Sequence, residues 1–151
     1  MSMRKVAGEL PVSFRYTPGV GNTSFFEGLL DRGAFVGSRC PECELTYVPS
    51  RLFCERCFRP TDEWAEVSST GTVETFSICH VTWDMRPLDA PELPAVIRLD
   101  GASSGGFLHM LGDVAPDDVS IGMRVSAVWK PLEERHGSIL DISHFAPEAA
   151  S

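Results

Sequence analysis

Two Cys-x-x-Cys pairs, Cys40-Pro-Glu-Cys43 and Cys54-Glu-Arg-Cys57, stand ten residues apart in the stretch RCPECELTYVPSRLFCERCFRP. Each pair forms a knuckle, a tight turn that aims two thiolates inward from a short loop. Two knuckles on one hairpin supply a tetrahedral four-sulfur shell suited to zinc, and rubredoxin-type iron uses the same ligands. A thioredoxin-like redox pair would open a helix beside a βαβ pattern, whereas proline, aromatic and arginine residues follow here. Disulfides need an oxidising compartment. The start MSMRKVAGELP has no apolar core of a signal peptide, and no run of about 18 apolar residues exists for a membrane span. The expected address is therefore the cytoplasm, where thiols stay reduced. Because four thiolates fill the shell, no position is left for a reactive water, and the expected role of the metal is structural.

At 151 residues the chain is long enough for one main core and a small satellite unit. The division expected is an extended N-terminus and short helix over 1–36, a zinc ribbon over 37–66 and a barrel over 67–151. In the first part, NTSFFEGLLDRG reads as an amphipathic helix. Ser24 and Glu27 fit a capping box, Phe25, Phe26, Leu29 and Leu30 form the apolar stripe, and Gly33 stands where a C-cap belongs. Residues 1 to 22 read as extended and loosely held.

Downstream of Trp64 the hydrophobic period becomes that of strands. TGTVETFSICHVTW, PAVIRLD, GFLHMLGDV, GMRVSAVWK and SILDISHF follow one another, and in the fourth Met123, Val125, Ala127 and Trp129 alternate with Arg124, Ser126, Val128 and Lys130. Five strands in about 80 residues suit a small closed Greek-key barrel of the oligonucleotide/oligosaccharide-binding (OB) type. The fold class expected is thus mainly β: helix, rubredoxin-like zinc ribbon, then a five-stranded OB-fold barrel. Val73, Cys79, Val81 and Trp83 share one parity of the first strand while Phe76 and Ile78 take the other, which a bulge near the middle would reconcile. APDDVSIG is the only place expected to hold a short helical turn.

Several patterns imitate catalytic sites. Gly101-Ala102-Ser103-Ser104-Gly105 matches a nucleophile elbow in letters, but a strand follows it where the elbow requires a helix. Cys79 and His80 are neighbours on a strand and face opposite ways, so they form no nucleophile and base pair. Cys79 reads as a small core residue, His109 as a satisfied barrel histidine, and His136 and His144 as surface residues. No complete active site is visible, so catalysis by this chain alone is not expected.

Charge speaks against nucleic acid as a partner. Residues 68–151 carry five Lys or Arg against twelve acids, a balance of −7 within a total of −8, and a polyanion gains no counterion release from such a surface. The basic residues that cluster, Arg39, Arg51, Arg56 and Arg59, surround the cysteines. They read either as solvated charge offsetting the thiolates and nearby glutamates, or as a local anion site sized for a phosphate-bearing cofactor.

The order FFEGLLDRGAFVGSRCPEC, VPSRLFCERC, the tryptophan of EWAEVSSTGTVETFSICHV and IGMRVSAVW resembles the zinc-ribbon and OB-fold family once catalogued as domain of unknown function thirty-five. The resemblance runs from about Phe25 to Pro147. It implies that Cys40, Cys43, Cys54 and Cys57 are zinc ligands, although Glu44 stands where members often carry glycine. It further implies a non-catalytic accessory subunit that accompanies a thiolase-like, lipid-transfer-type aldolase or hydratase protein in acyl-CoA, steroid or polyketide metabolism, with CoA or acyl-CoA as ligand. A free-standing acyl-CoA-binding protein is the alternative, and a single-strand nucleic-acid module a third reading.

Overall fold

Gly19 adopts a φ of 76°, and from it the chain of this computed structural model winds into helix α1 (Gly19–Glu27). The structure describes residues 8, 12–103 and 105–148. The helix starts five residues before Ser24, and the expected capping box does not form. Ser24 lies inside the helix, and its hydroxyl donates back to the Val20 carbonyl at 3.3 Å, the habit of a serine in a helix interior. The N-cap is Pro18, with no side-chain bond. Residues 19–22, expected to be extended, are therefore helical, while residues 1–7 and 9–11 lie outside the described residues. After Glu27 the helix loosens into a π-turn over Gly28–Arg32 and stops, as expected, at left-handed Gly33 (φ 59°). Phe25 and Leu29 are fully buried, and Phe26 and Leu30 are half-buried.

Three antiparallel strands follow: β1 (Phe35–Arg39), β2 (Thr46–Tyr47) and β3 (Glu63–Val67), in the order β2-β1-β3. Strand β1 is buried on both faces from Phe35 to Ser38. Its Phe35 ring packs 5.4 Å from Phe107 and 6.2 Å from Phe145, which ties this sheet to the core of the next.

That core is enclosed by β4 (Thr70–Phe76), β7 (Pro94–Leu99), β8 (Phe107–Met110), β9 (Arg124–Trp129) and β10 (Ile142–Pro147). They form a five-stranded sheet ordered β10-β9-β4-β7-β8, and a parallel bridge between Leu111 and Phe145 joins its two ends. The Gly112 N–H donates to the Phe145 carbonyl at 2.9 Å across that seam. This is the OB-type barrel, and the alternation expected in its fourth strand holds, with Val125 and Ala127 buried.

Strand β4 does carry a bulge, between Val73 and Thr75, but it ends at Phe76 and does not run on to Trp83. The remainder forms a separate hairpin of β5 (Cys79–Val81) and β6 (Pro87–Glu92) that pairs only with itself. Its second arm carries Pro87 and Pro91, which lack the N–H a central strand needs and so suit a two-stranded edge. Cys79, expected in the core, sits half-buried on this hairpin.

The expected turn in APDDVSIG forms at Pro116–Asp118, but two more arise, at Leu132–Glu134 and Ile139–Asp141. The last of these takes the first half of the expected strand SILDISHF, so β10 begins only at Ile142. Asp141 decides that outcome. Its buried carboxylate accepts the N–H groups of His136, Gly137 and Ser138 at 2.9, 2.7 and 3.0 Å, while the Ser138 hydroxyl accepts from Leu140 N–H at 3.2 Å. Burial works against ionising Asp141, yet these backbone donors prevail and hold its carboxyl below the usual range. No helix of the described residues is long and apolar enough to cross a membrane.

Candidate metal centre

The two knuckles are built alike. The Cys40 N–H donates to the Leu45 carbonyl at 2.9 Å and Glu44 N–H to the Cys40 carbonyl at 2.8 Å; the Cys54 N–H donates to the Arg59 carbonyl at 2.8 Å and Phe58 N–H to the Cys54 carbonyl at 2.9 Å. Glu44 (φ 56°) and Phe58 (φ 58°) occupy the same left-handed position in each. The residue found in place of the family's common glycine thus takes the glycine-like turn, and the opposite knuckle does the same with a phenylalanine.

The turns bring the Sγ atoms of Cys40, Cys43, Cys54 and Cys57 within 4.8 Å of one another, with Cys40 and Cys57 3.6 Å apart. A tetrahedral zinc shell with bonds of about 2.3 Å requires sulfurs about 3.8 Å apart, so the donor set fits. Its electrostatics agree. Burial, followed by hydrogen bonds to Cys57 and Cys54, pushes the Cys43 thiol up to about 12, whereas the Tyr47 hydroxyl brings Cys54 down to about 6. Four sulfurs this close cannot all ionise unless a cation compensates them.

Tyr47 is the member of this centre that the sequence reading missed. It is fully buried, its hydroxyl lies 3.2 Å from Cys54 Sγ as donor, and the same oxygen accepts Glu55 N–H at 3.3 Å. Only the fold shows this contact, because the residue lies seven positions from Cys54 and outside both pairs. Partners that orient metal ligands commonly carry ten- to hundredfold in affinity. Tyr47→Phe should therefore weaken zinc about tenfold or more in competition with a chromophoric chelator. Unchanged affinity would reduce Tyr47 to a packing residue.

The four arginines do not converge. Arg39, Arg51 and Arg59 each meet a glutamate of the ribbon, Glu44 at 3.2 Å, Glu55 at 2.6 Å and Glu42 at 3.0 Å. Arg56 has no ion-pair partner among the described residues. Arg39 lines a cleft between ribbon and barrel, whereas Arg51 lines another beside Pro18 and Gly21 and lies 5.1 Å over the Tyr47 ring.

The patterns that imitate catalysis are dispersed. Ser103 fastens its loop to the ribbon: its N–H donates to the Thr46 carbonyl at 2.8 Å and its hydroxyl accepts Thr46 N–H at 2.9 Å. His144 Nε2 is 2.8 Å from Asp113 and its Nδ1 3.2 Å from the hydroxyl of its chain neighbour Ser143, both contacts at the exposed surface. His109 is buried, as expected, but only one of its ring nitrogens has a partner, the Ile139 carbonyl at 3.2 Å.

Two apolar surfaces stand out instead. On the ribbon, Leu52, Phe53 and Phe58 are exposed. At the tip of the β5–β6 hairpin, Trp83 is 94% and Met85 76% exposed. The tip is closed by hydrogen bonds: Thr82 N–H donates to the Arg86 carbonyl at 2.8 Å, Met85 N–H to the Thr82 carbonyl at 3.0 Å, and Arg86 Nε to Asp84 at 2.7 Å.

Residues 28–63 match the rubredoxin-like zinc ribbon domain of ChsH2, and residues 64–130 its C-terminal OB-fold domain. A DUF35 domain-containing scaffold protein of Methanocaldococcus jannaschii is 38% identical over 106 residues, covering 69% of this chain and 73% of the relative. A crystal structure of a DUF35 protein of unknown function from Sulfolobus solfataricus superposes with a TM-score of 0.68 at 22% identity, over 86% of this chain and 87% of that one. The aldolase Ltp2-ChsH2(DUF35) gives 0.62 at 23% identity, over 88% and 98%. At that identity the two structures speak for the fold.

Proposed function

This chain belongs to the DUF35 family of zinc-ribbon and OB-fold proteins, and from that premise we propose that it is a non-catalytic accessory subunit that docks an acyl-CoA enzyme of the thiolase, aldolase or hydratase type. The observation that carries this reading is the pair of exposed apolar surfaces, above all Trp83 and Met85 on a hydrogen-bonded hairpin turn. Aromatic anchors are the side chains that dominate protein interfaces. Relatives named scaffold proteins, and a fold relative assembled with an aldolase, support the same direction.

Within this reading Cys40, Cys43, Cys54 and Cys57 hold one zinc ion, which fixes the loops that present Phe53 and Phe58. The ion itself supplies cross-linking and no chemistry. Arg56, which has no ion-pair partner among the described residues, is the ribbon arginine left to meet a CoA phosphate at the partner interface; Arg51 would first have to leave Glu55. Within this reading the chain contributes no nucleophile: among the described residues Ser103 is engaged with Thr46, neither it nor Cys79 has an imidazole among its hydrogen-bond partners, and the exposed Ser143 hydroxyl meets only the ring of its own chain neighbour His144, at 3.2 Å.

Co-expression with an aldolase of the Ltp2 type tests the proposal. The expected result is a stable complex that Trp83→Ala with Met85→Ala weakens at least thirtyfold, since central aromatic anchors cost about 2 kcal/mol or more on truncation. Zinc content of the variant should be unchanged, and the isolated chain should turn over no acyl-CoA. A wild-type chain that associates with no such enzyme, or that cleaves acyl-CoA alone, overturns the reading.

A further inference from the structure

Residues 68–151 carry five basic side chains against twelve acids, and four of the five are occupied within the chain. Arg86 pairs with Asp84, Arg98 with Glu74, and Arg124 with both Asp100 and Glu148. Arg135 donates from Nε to the Lys130 carbonyl at 2.8 Å and lies 5.7 Å over the Trp129 ring. Lys130 is the exception. Among the described residues its ammonium has no ion-pair partner and no hydrogen-bond acceptor, in a half of the chain where acids outnumber bases by seven. The residue is half-buried, and its backbone is pinned on both sides, its N–H on the Asp141 carbonyl at 2.9 Å and its carbonyl by Arg135.

Lys130 lines a cavity of about 410 Å³ at the seam where the barrel closes between β8 and β10. Leu108, Met110, Ile139, Leu140 and Ile142 supply its apolar wall. Leu108 and Leu140 are each 65% exposed, so this wall offers apolar surface that the fold leaves uncovered. The other polar side chains of the lining are already engaged: His109 sets Nε2 against the Ile139 carbonyl at 3.2 Å and buries Nδ1, and the Ser143 hydroxyl meets His144 Nδ1. An apolar cavity takes its selectivity from the few polar groups in its wall. Here the group still without a partner is a cation.

We propose that this seam binds a carboxylate carried on an apolar body, of which a free medium-chain fatty acid is the simplest case, with Lys130 as the partner of the carboxylate. Burial of the chain supplies affinity through the hydrophobic effect, and the charge-assisted contact makes the site prefer the acid to an alcohol or ester of the same length. The site uses neither the ribbon nor the hairpin tip. Its loss would therefore leave partner docking intact.

Methyl-labelled full-length protein, followed by NMR at Met110 and Ile139, would be titrated with octanoate, 1-octanol and methyl octanoate. The expected result is saturable shifts at these methyls, with octanoate binding about tenfold more tightly than either neutral compound. Lys130→Gln keeps the pinned backbone and should bring octanoate down to the level of the alcohol while the alcohol itself binds as before. Leu140→Asp, on the exposed rim, interrupts the wall and sets a competing carboxylate beside it, so it should bind none of the three. The proposal is overturned if octanoate does not saturate, if octanoate and 1-octanol bind the wild type equally, if Lys130→Gln keeps the preference for the acid, or if Leu140→Asp binds octanoate as the wild type does.

Discussion

Replacing Cys40 or Cys54 with serine should release the metal and unfold at least the ribbon. Structural zinc supplies about 10 kcal/mol or more of apparent binding free energy to units of this size, most of which becomes folding free energy. Three sulfurs would remain around an incomplete shell, and Cys40 and Cys54, both fully buried, have little around them but Tyr47, Cys43, Leu45 and Cys57. That small cluster cannot hold the loops without a cross-link. Metal analysis of protein prepared without added metal should find close to one zinc per wild-type chain and none in either variant, with the near-ultraviolet dichroism of the ribbon aromatics lost. A folded, metal-free variant with wild-type thermal stability would contradict the assignment.

Asp141→Ala should destabilise the protein by about 3 kcal/mol, because three backbone N–H groups lose a charged acceptor together. Asp141→Asn keeps the shape and tests the charge. A carboxyl held below its usual range stabilises the folded state above the unfolded value near pH 4, and that contribution disappears as the pH falls through the folded value. Asp100, held at about 2 by hydrogen bonds from Arg124 and Thr70, titrates in the same acid window. The informative quantity is therefore the difference between wild type and Asp141→Asn in chemical denaturation, which should shrink as the pH is lowered from 6 to 3. A difference independent of pH would mean that the carboxylate charge does not hold the turn.

The four-cysteine cluster was legible because its spacing is itself the geometry: two knuckles need two residues between paired cysteines and nothing more distant. Strand β9 was legible for a similar reason, since its burial follows the parity of its own side chains. The β5–β6 hairpin was not. Its turn contains no glycine or asparagine to announce it, and the left-handed position is taken by Met85 (φ 65°). The helix start was obscured because Pro18 and Gly19 can equally mark a loop, and only packing of Phe25 and Leu29 on the barrel decides. Tyr47 acts through a sulfur that the fold brings to it and leaves no motif to read, whereas Asp141 stands in the Ser-x-x-Asp pattern of a capping box with Ser138, a signal that the β-like run SILDISHF overshadowed.

Strand β1 belongs to two structures at once, hydrogen-bonded into the ribbon sheet while Phe35 is inserted among the aromatic rings of the barrel. A ligand that binds only the folded ribbon therefore raises the stability of everything that unfolds with it, by an amount set by its free concentration. With zinc in the knuckles as proposed, its supply would become a variable in the lifetime of the whole chain: a molecule made under metal scarcity would present its barrel core to proteases and chaperones along with its unfilled knuckles.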